Sequence, residues 1–436
     1  MSNWIKAFIG FGMIACSIPL ASAHIEPFTT WYYPLVWYGL ILFMDSLRAA
    51  RGRPSLLFQR PMLFLCLLFW SATIWFMFEV FNFRLSNWYY IFASDHKAVR
   101  VVGSWLSFAT VLPALYLIEK LLEDMHLFSK GPRFGLKLEG RQPALAALAG
   151  LACLILPLAW PRYAFPLIWA FGFLLPLPWF SKNLEATFLT DLTRSLPGRF
   201  LRLLTAGLIC GLLWEGFNAF ATIRWIYTVP FFQEIKLFEM PPLGFLGFPP
   251  FALECAVLYG VLAGLGWAPQ LEGWGRPRQG RRGRPGSACA AGVMAVALGV
   301  AALEGMERYT IDSYTPRLES LELPEKANAL LGRHGIEDCF SLRQALDHPA
   351  FIESFENAGG SASQTRRLVD LALLRGIGTE NAKALERLGV HSVADLIGRN
   401  AYELAEALSE ARRAGAPPVL PSRTRIWIHA ASQAEP

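Results

Sequence analysis

In the stretch GLICGLLWEGFNAFATIRWIYTVPFF, Gly207 to Phe232, a carboxylate and an amide stand one helical turn apart within an apolar run. Glu215 and Asn218 therefore share a helix face. Glu79, Glu254, Glu304 and Asp45 also interrupt apolar runs. An ionisable side chain inside a membrane span is costly unless paired or neutralised, and so marks a candidate site. A carboxyl group taken out of water favours its protonated form. Such a group can act as an acid toward an apolar substrate, or carry a proton in a transporter. A neighbouring Arg224 or Lys236 would hold a second carboxylate ionised, the split pair that acid–base chemistry uses. The candidate catalytic residues are thus Glu215, Glu254 and Glu79. Trp214, Asn218, Arg224, Trp225, Tyr227 and Glu239 are candidate binding residues around them. The competing role is structural. Trp214 and Asn218 can both bond to Glu215, and embedded polar groups often only tie helices together.

The elements that must position these groups are membrane helices. The chain has 436 residues, 54% hydrophobic and 17% charged, against about a quarter charged in a soluble protein. A span needs about 20 mostly apolar residues. Nine segments qualify: 4–23, 30–47, 61–82, 101–119, 143–160, 164–180, 203–221, 245–266 and 287–305. The first, with Lys6 and Ala21-Ser22-Ala23 before His24, also fits a cleaved signal peptide. The expected fold is all-α: a polytopic bundle over 24–305, a linker at 306–317, a helical domain at 318–411 and a flexible tail at 412–436. No CxxC and no Cys/His cluster occurs, so no metal site and no cofactor is expected.

Lys and Arg concentrate in cytoplasmic loops. Alternate loops 48–60, 120–142, 181–202 and 267–286 hold 18 basic residues, including Lys137, Arg278, Arg281, Arg282 and Arg284. The opposite loops 83–100, 161–163 and 222–244 hold six. The first set is expected in the cytoplasm of a plasma-membrane protein, which puts the C-terminal domain outside. On that orientation all four embedded glutamates favour the outer side, and Asp45 the inner. The outer loops NFRLSNWYYIF and RWIYTVPFFQEIKLFEMPPLGFLGFPPF are aromatic, and in the second Pro-Pro pairs forbid a regular helix. They are expected to lie in the interface or to fold over the helix ends. A helix bearing Glu215, the loop residues Trp225 and Tyr227, then Gly247 and Pro249 is similar to membrane carotenoid-modifying enzymes of the lycopene-cyclase and hydratase type. That resemblance implies a lipid or isoprenoid substrate. The spans lack the paired broken helices of inverted-repeat transporters, which ranks an enzyme above a transport path.

In the C-terminal part, LALLRGIGTENAKALERLGVHSVADL (371–396) has two apolar-faced helices around Gly376-Ile377-Gly378, a turn suited to glycine. It resembles the helix-hairpin-helix family. A degenerate copy precedes it by 54 residues: Leu331 aligns with Leu385, Gly335 with Gly389, Leu342 with Leu396. The resemblance implies that the turn amides, with Arg375 and Lys383, would hold a phosphate in a DNA-binding member. Glu380 and an acidic balance over 306–436 (15 basic, 18 acidic) oppose DNA and favour an unknown protein partner. An alternative is a membrane scaffold in which this domain does the work and the glutamates are glue.

Overall fold

The computed structural model describes residues 1–130, 133–136, 138–229, 235–277, 285–412 and 418–434. The expected basic residues Lys137, Arg278, Arg281, Arg282 and Arg284 lie outside them. The chain is mostly helical. Among the described residues, eight helical stretches are long and apolar enough to cross a membrane: Asn3–Ser22, Pro61–Leu85, Lys97–Asp124, Gln142–Ala159, Pro161–Asn183, Gly198–Phe220, Pro242–Gly264 and Gly286–Tyr309. The ninth expected span, 30–47, is a 19-residue helix, Tyr32–Ala50. It falls short of the others because its last turns carry Asp45 and Arg48. It is nonetheless central, with Val36, Trp37 and Ile41 fully buried. It crosses Asn3–Ser22 so closely that a Cβ on Gly39 would lie 2.9 Å from the Gly10 carbonyl.

The order of elements repeats. Name the helices α1 (Asn3–Ser22), α2 (Tyr32–Ala50), α3 (Pro61–Leu85), α4 (Lys97–Phe108) and α5 (Val111–Asp124), with strand β1 (Trp88–Ile91) between α3 and α4. The second series is α6 (Gln142–Ala159), α7 (Ile168–Leu174), α8 (Leu177–Asn183), α9 (Gly198–Phe220), β2 (Arg224–Tyr227) and α10 (Phe248–Gly264). Displacing the first series by about 136 residues lays α1 on α6, α2 on α7–α8, α3 on α9, β1 on β2 and α5 on α10. Pro61 and Pro197, which open α3 and α9, are 136 residues apart. The two strands pair antiparallel, Trp88 opposite Tyr227 and Tyr90 opposite Trp225. The membrane part is therefore two copies of one four-helix unit joined through their strands, followed by α11 (Pro285–Tyr309).

Two expectations are corrected here. The aromatic loops do not simply lie over the helix ends, and the fold is not purely helical. Extended runs rich in Trp, Tyr and Ile pair as strands, where such side chains pack well. Residues 310–315 then bond to β1 from its other side: Tyr90 N–H donates to Thr310 O at 2.7 Å, and Asp312 N–H to Tyr90 O at 2.9 Å. Residues 306–309 thus close α11 and 310–315 join the sheet, so 306–317 is no free linker.

At the opposite end, basic residues that looked like loop anchors are buried in ion pairs. Arg202 bonds to Glu119 at 3.0 Å and Glu123 at 2.8 Å, and Arg48 bonds to Asp124 at 2.7 Å. Asp45 accepts from Ser55 and from the Leu56 N–H at 2.6 Å, fixing the turn into α3.

The C-terminal part has its own core, around Leu331, Cys339, Phe355, Leu371, Leu385 and Trp427. Its two copies share backbone features. Gly335 and Gly389 both have positive φ, +65° and +77°, and the aligned Leu331/Leu385 and Leu342/Leu396 are buried. The expectation of a flexible 412–436 is also corrected for its described part, 418–434. Helix α12 (Pro421–Gln433) buries Trp427 in this core, and its Arg423 pairs with Asp312 and donates to Tyr309 O at 2.8 Å.

Candidate functional site: a duplicated carboxyl module and the cavity beside it

Helices α3 and α9 end in the same way. Each carries Glu-x-Phe-Asn, then five or six residues, then Trp-x-Tyr on the strand. In the first copy the Asn82 amide donates to Trp88 O at 2.9 Å and accepts from the Asn87 N–H at 2.8 Å. In the second, Asn218 donates to Trp225 O at 2.9 Å and accepts from the Trp225 N–H at 3.1 Å. The asparagine so supplies the backbone partners that the helix end cannot, and sets where the strand begins. The strand then returns its tyrosine to the glutamate. Tyr90 OH donates to Glu79 Oε1 at 2.6 Å, and Tyr227 OH donates to Glu215 Oε1 at 2.8 Å.

The copies differ in what else reaches the carboxyl. Glu79 Oε1 also accepts from Trp75 Nε1 at 3.0 Å and Trp88 Nε1 at 3.1 Å. The residue four before Glu215 is Gly211, not tryptophan, and a Cβ there would meet the Phe248 ring at 2.1 Å. Phe248 occupies the room that an indole would need. The indole of Trp225, counterpart of Trp88, stands beside Glu215 as a looser donor than Tyr227, and Glu215 Oε2 has no close partner among the described residues. Both carboxyls leave Oε2 without a close partner, but one is held by three close bonds and the other by one, with the Trp225 indole looser beside it.

A cavity of about 630 Å³ lies between the two copies, beside the paired strands. This is within the roughly 300–1,000 Å³ typical of small-molecule sites. Its walls come from both copies, in matching places. Tyr33 and Trp169, 136 apart, both line it, as do Val111 and Phe248, 137 apart. Trp75, Trp214 and Phe251 complete an aromatic lining, with Glu215 and Tyr227 set in the wall. Glu79 stands one layer behind, screened by Trp75, Trp88 and Tyr90, which line the cavity.

Glu254 is elsewhere. It is fully buried, and its Oε1 accepts the Gly172 N–H of α7 at 2.6 Å. Only a residue without a side chain fits there, since a Cβ on Gly172 would lie 2.5 Å from that oxygen. Glu254, a candidate catalytic residue by sequence, is not among the residues that line the cavity with Glu215. Glu304 pairs with Lys97 at an exposed site.

Of the candidate binding residues, Trp214, Arg224, Trp225 and Tyr227 line the cavity. Asn218 acts on the backbone instead. Glu239 pairs with Arg375 of the C-terminal part. Burial, and then Glu215, hold the Tyr227 phenol well above its ordinary pKa, so it remains a proton donor. Burial pulls both the Arg224 guanidinium and the Lys236 ammonium below their ordinary values.

The Gly376–Gly378 turn is covered by the chain itself. Both glycines have positive φ, and a Cβ on Gly376 would meet Ile91 of β1 at 2.2 Å. Lys383 pairs with Glu322. The turn and its two basic neighbours are thus committed within the molecule. Among the described residues no cluster of His, Cys, Asp or Glu could hold a metal.

Reading the sequence by composition and depth missed the first-copy module, Tyr33, and the two strands. The signal was present as Glu-x-Phe-Asn and Trp-x-Tyr spelled twice. Residues 322–434 match a family profile described as a domain of unknown function (DUF4332). No curated protein and no solved structure matches the chain.

Proposed function

We propose that the protein is a plasma-membrane enzyme that takes a lipid or isoprenoid into the cavity and exchanges a proton with it through Glu215. The observation that carries this reading is the asymmetry of the duplicated module. One carboxyl is anchored by three close bonds behind the wall; the other sits in the wall with one close bond, from Tyr227, and the Trp225 indole looser beside it. Helix glue calls for the first arrangement and explains little of the second. The aromatic lining suits an apolar chain, and Tyr227 is placed to pass the proton that Glu215 gains or gives up. The substrate class is the one implied by the likeness to carotenoid-modifying enzymes at Glu215, Trp225 and Tyr227. On this reading the basic loops are cytoplasmic and the cavity lies toward the outer leaflet. The C-terminal part, a helix-hairpin-helix-like pair, clamps β1 with its turn and leaves its opposite surface to a protein partner.

The test pairs Glu215→Gln with Ala170→Trp, which fills the cavity from a lining position. Membranes from a deletion host complemented with each variant are compared by lipid mass spectrometry. Both variants should fold, and both should lose whatever lipid conversion the wild-type gene restores. Full complementation by a well-folded Glu215→Gln variant would sink the catalytic reading.

A further inference from the structure

The rim of the cavity bears on how long a molecule it can admit. Among the described residues that line it, four are exposed: Tyr163, Pro166, Leu243 and Leu246. Tyr163 and Leu246 are each 68% exposed and Leu243 is 58% exposed. None of the four carries a charge. The first two belong to the turn from α6 into α7. The other two belong to the helical turn Pro242–Gly247 that leads into α10. The two segments come together at Trp169, where a Cβ on Gly247 would stand 3.5 Å from the indole. Trp160, Leu167, Leu237 and Phe238 extend the same apolar surface, and a patch of this kind marks a contact with lipid or ligand.

A second hollow adjoins the first. It is a groove on the outside of the α6–α7 turn, lined by Leu156, Trp160, Tyr163, Ala164, Pro166 and Leu167. Every one of these side chains is apolar or aromatic. Tyr163 and Pro166 belong to both linings, so the groove begins where the cavity ends. Leu156 and Trp160 are four residues apart at the end of α6 and so lie on one face of it. The groove therefore leads from the rim back along a membrane-length helix, toward the hydrocarbon of the bilayer.

We propose that the cavity takes only the reacting end of a long-chain isoprenoid. The remainder of the chain leaves past Tyr163 and Pro166 and lies in the α6 groove, against the lipid tails. A cavity of about 630 Å³ suits a drug-sized molecule, and a polyprenol of many isoprene units does not fit inside it. An open side removes that limit. The groove adds little affinity, because lipid tails are as apolar as the side chains that line it. Its effect is on which chain lengths are admitted. This rests on the reading of the cavity as an isoprenoid site, and the two can fail separately.

The test uses the full chain in phosphatidylcholine nanodiscs, with equilibrium binding of farnesol and of solanesol, a much longer polyprenol, at equal mole fraction in the bilayer. The wild type should bind both with similar affinity. Ala170→Trp, which fills the cavity, should abolish both. Ala164 lines the groove and not the cavity. Ala164→Trp should leave farnesol unchanged and weaken solanesol by about tenfold or more, the scale of an overpacking penalty. Thermal melts establish that each variant is folded; if Ala164→Trp is not, the wild-type comparison and Leu167→Trp, which fills the same groove, decide. A wild type that binds farnesol and rejects solanesol overturns the exit and keeps the cavity site. So does a folded Ala164→Trp that binds solanesol as the wild type does, or that weakens both alcohols alike. Solanesol binding that survives Ala170→Trp would put the chain on the lipid-facing surface alone and overturn the proposal. A folded wild type that binds neither alcohol overturns the isoprenoid reading of the cavity as well.

Discussion

Glu79 and Glu215 occupy equivalent positions in a duplicated module, so their differences isolate what the surroundings do. Three donors converge on one oxygen of Glu79. Glu79→Gln should cost about 1.5–3 kcal/mol, the range for bonds to a charged group, and leave lipid conversion in the surviving folded protein. Glu215→Gln should do the reverse: a melting temperature close to wild type and no conversion. Differential melts in detergent, beside complementation, separate the two; matching behaviour of the pair would remove the basis for assigning them different roles. A second residue-scale test concerns pH. His24 stacks on Phe340 of the C-terminal part, ring centroids 4.2 Å apart, and burial holds its pKa below the ordinary 6.5 against the pull of Asp338. The folded chain thus prefers the neutral ring. That contribution is whole above pH 6.5 and is lost as pH falls below it toward the depressed value, because the unfolded chain binds the proton more readily. His24→Phe keeps the stack and cannot titrate. The wild type should lose more stability than His24→Phe between about pH 7 and about pH 5, measured as the difference in their melting temperatures. Parallel curves would show that His24 contributes nothing to the pH response.

At the scale of elements, glycine decides which helices and turns can meet. Gly207 lets α9 approach α10 until a Cβ would lie 2.4 Å from the Phe248 carbonyl, a backbone atom that cannot rotate away. Gly207→Ala should therefore cost about 1–3 kcal/mol, the usual penalty for overpacking, read as a lower melting temperature. Gly376 meets two constraints at once, a positive φ and the Ile91 side chain. Gly376→Val together with Gly378→Val should release the C-terminal part from β1 and speed cleavage at 306–317 in limited proteolysis. Protection equal to wild type would show that the turn does not hold the two parts together. This contact also shows what was legible from sequence. The turn was readable from Gly-Ile-Gly and its flanking leucines. Its partner was not, because nothing local to 371–396 specifies Ile91, nearly three hundred residues earlier. The strands were missed for a similar reason. Trp88–Ile91 and Arg224–Tyr227 are each four residues long, too short for alternation to stand out, and each forms only because the other is there.

For the whole molecule, duplication explains why the cavity lies where it does. Each copy supplies four helices, and an even number of crossings returns the chain to the side it started from. Both copies then face the same way, related by rotation about an axis along the membrane normal, as in parallel-repeat membrane proteins. The cavity lies between two like faces that meet at that axis. The pairs at matching positions, Tyr33 with Trp169 and Val111 with Phe248, line it. Apolar run lengths made the spans countable from sequence, but pairing of copies needs a comparison at a distance of 136 residues, with one residue inserted between Asn218 and Trp225. The same architecture fixes the expected sidedness. The loops after α2 and after α7–α8 are equivalent, and the stretches around them, 48–60 and 181–202, hold four basic residues each, whereas both strands lie at the opposite ends of the helices. The C-terminal part docks on β1, so it must share the strands' side. A cysteine at exposed Arg51, in a background with Cys16 and Cys289 replaced by alanine, should be shielded from an impermeant thiol reagent in intact cells. One at exposed Ser363 should be labelled, because on the proposed orientation, drawn from 18 basic residues against six, the Arg51 loop is inside. Labelling of Arg51→Cys with protection of Ser363→Cys would invert the orientation and place the cavity toward the cytoplasmic leaflet. Labelling of both, or of neither, would contradict the docking of the C-terminal part on β1, since no membrane would then separate the two sites.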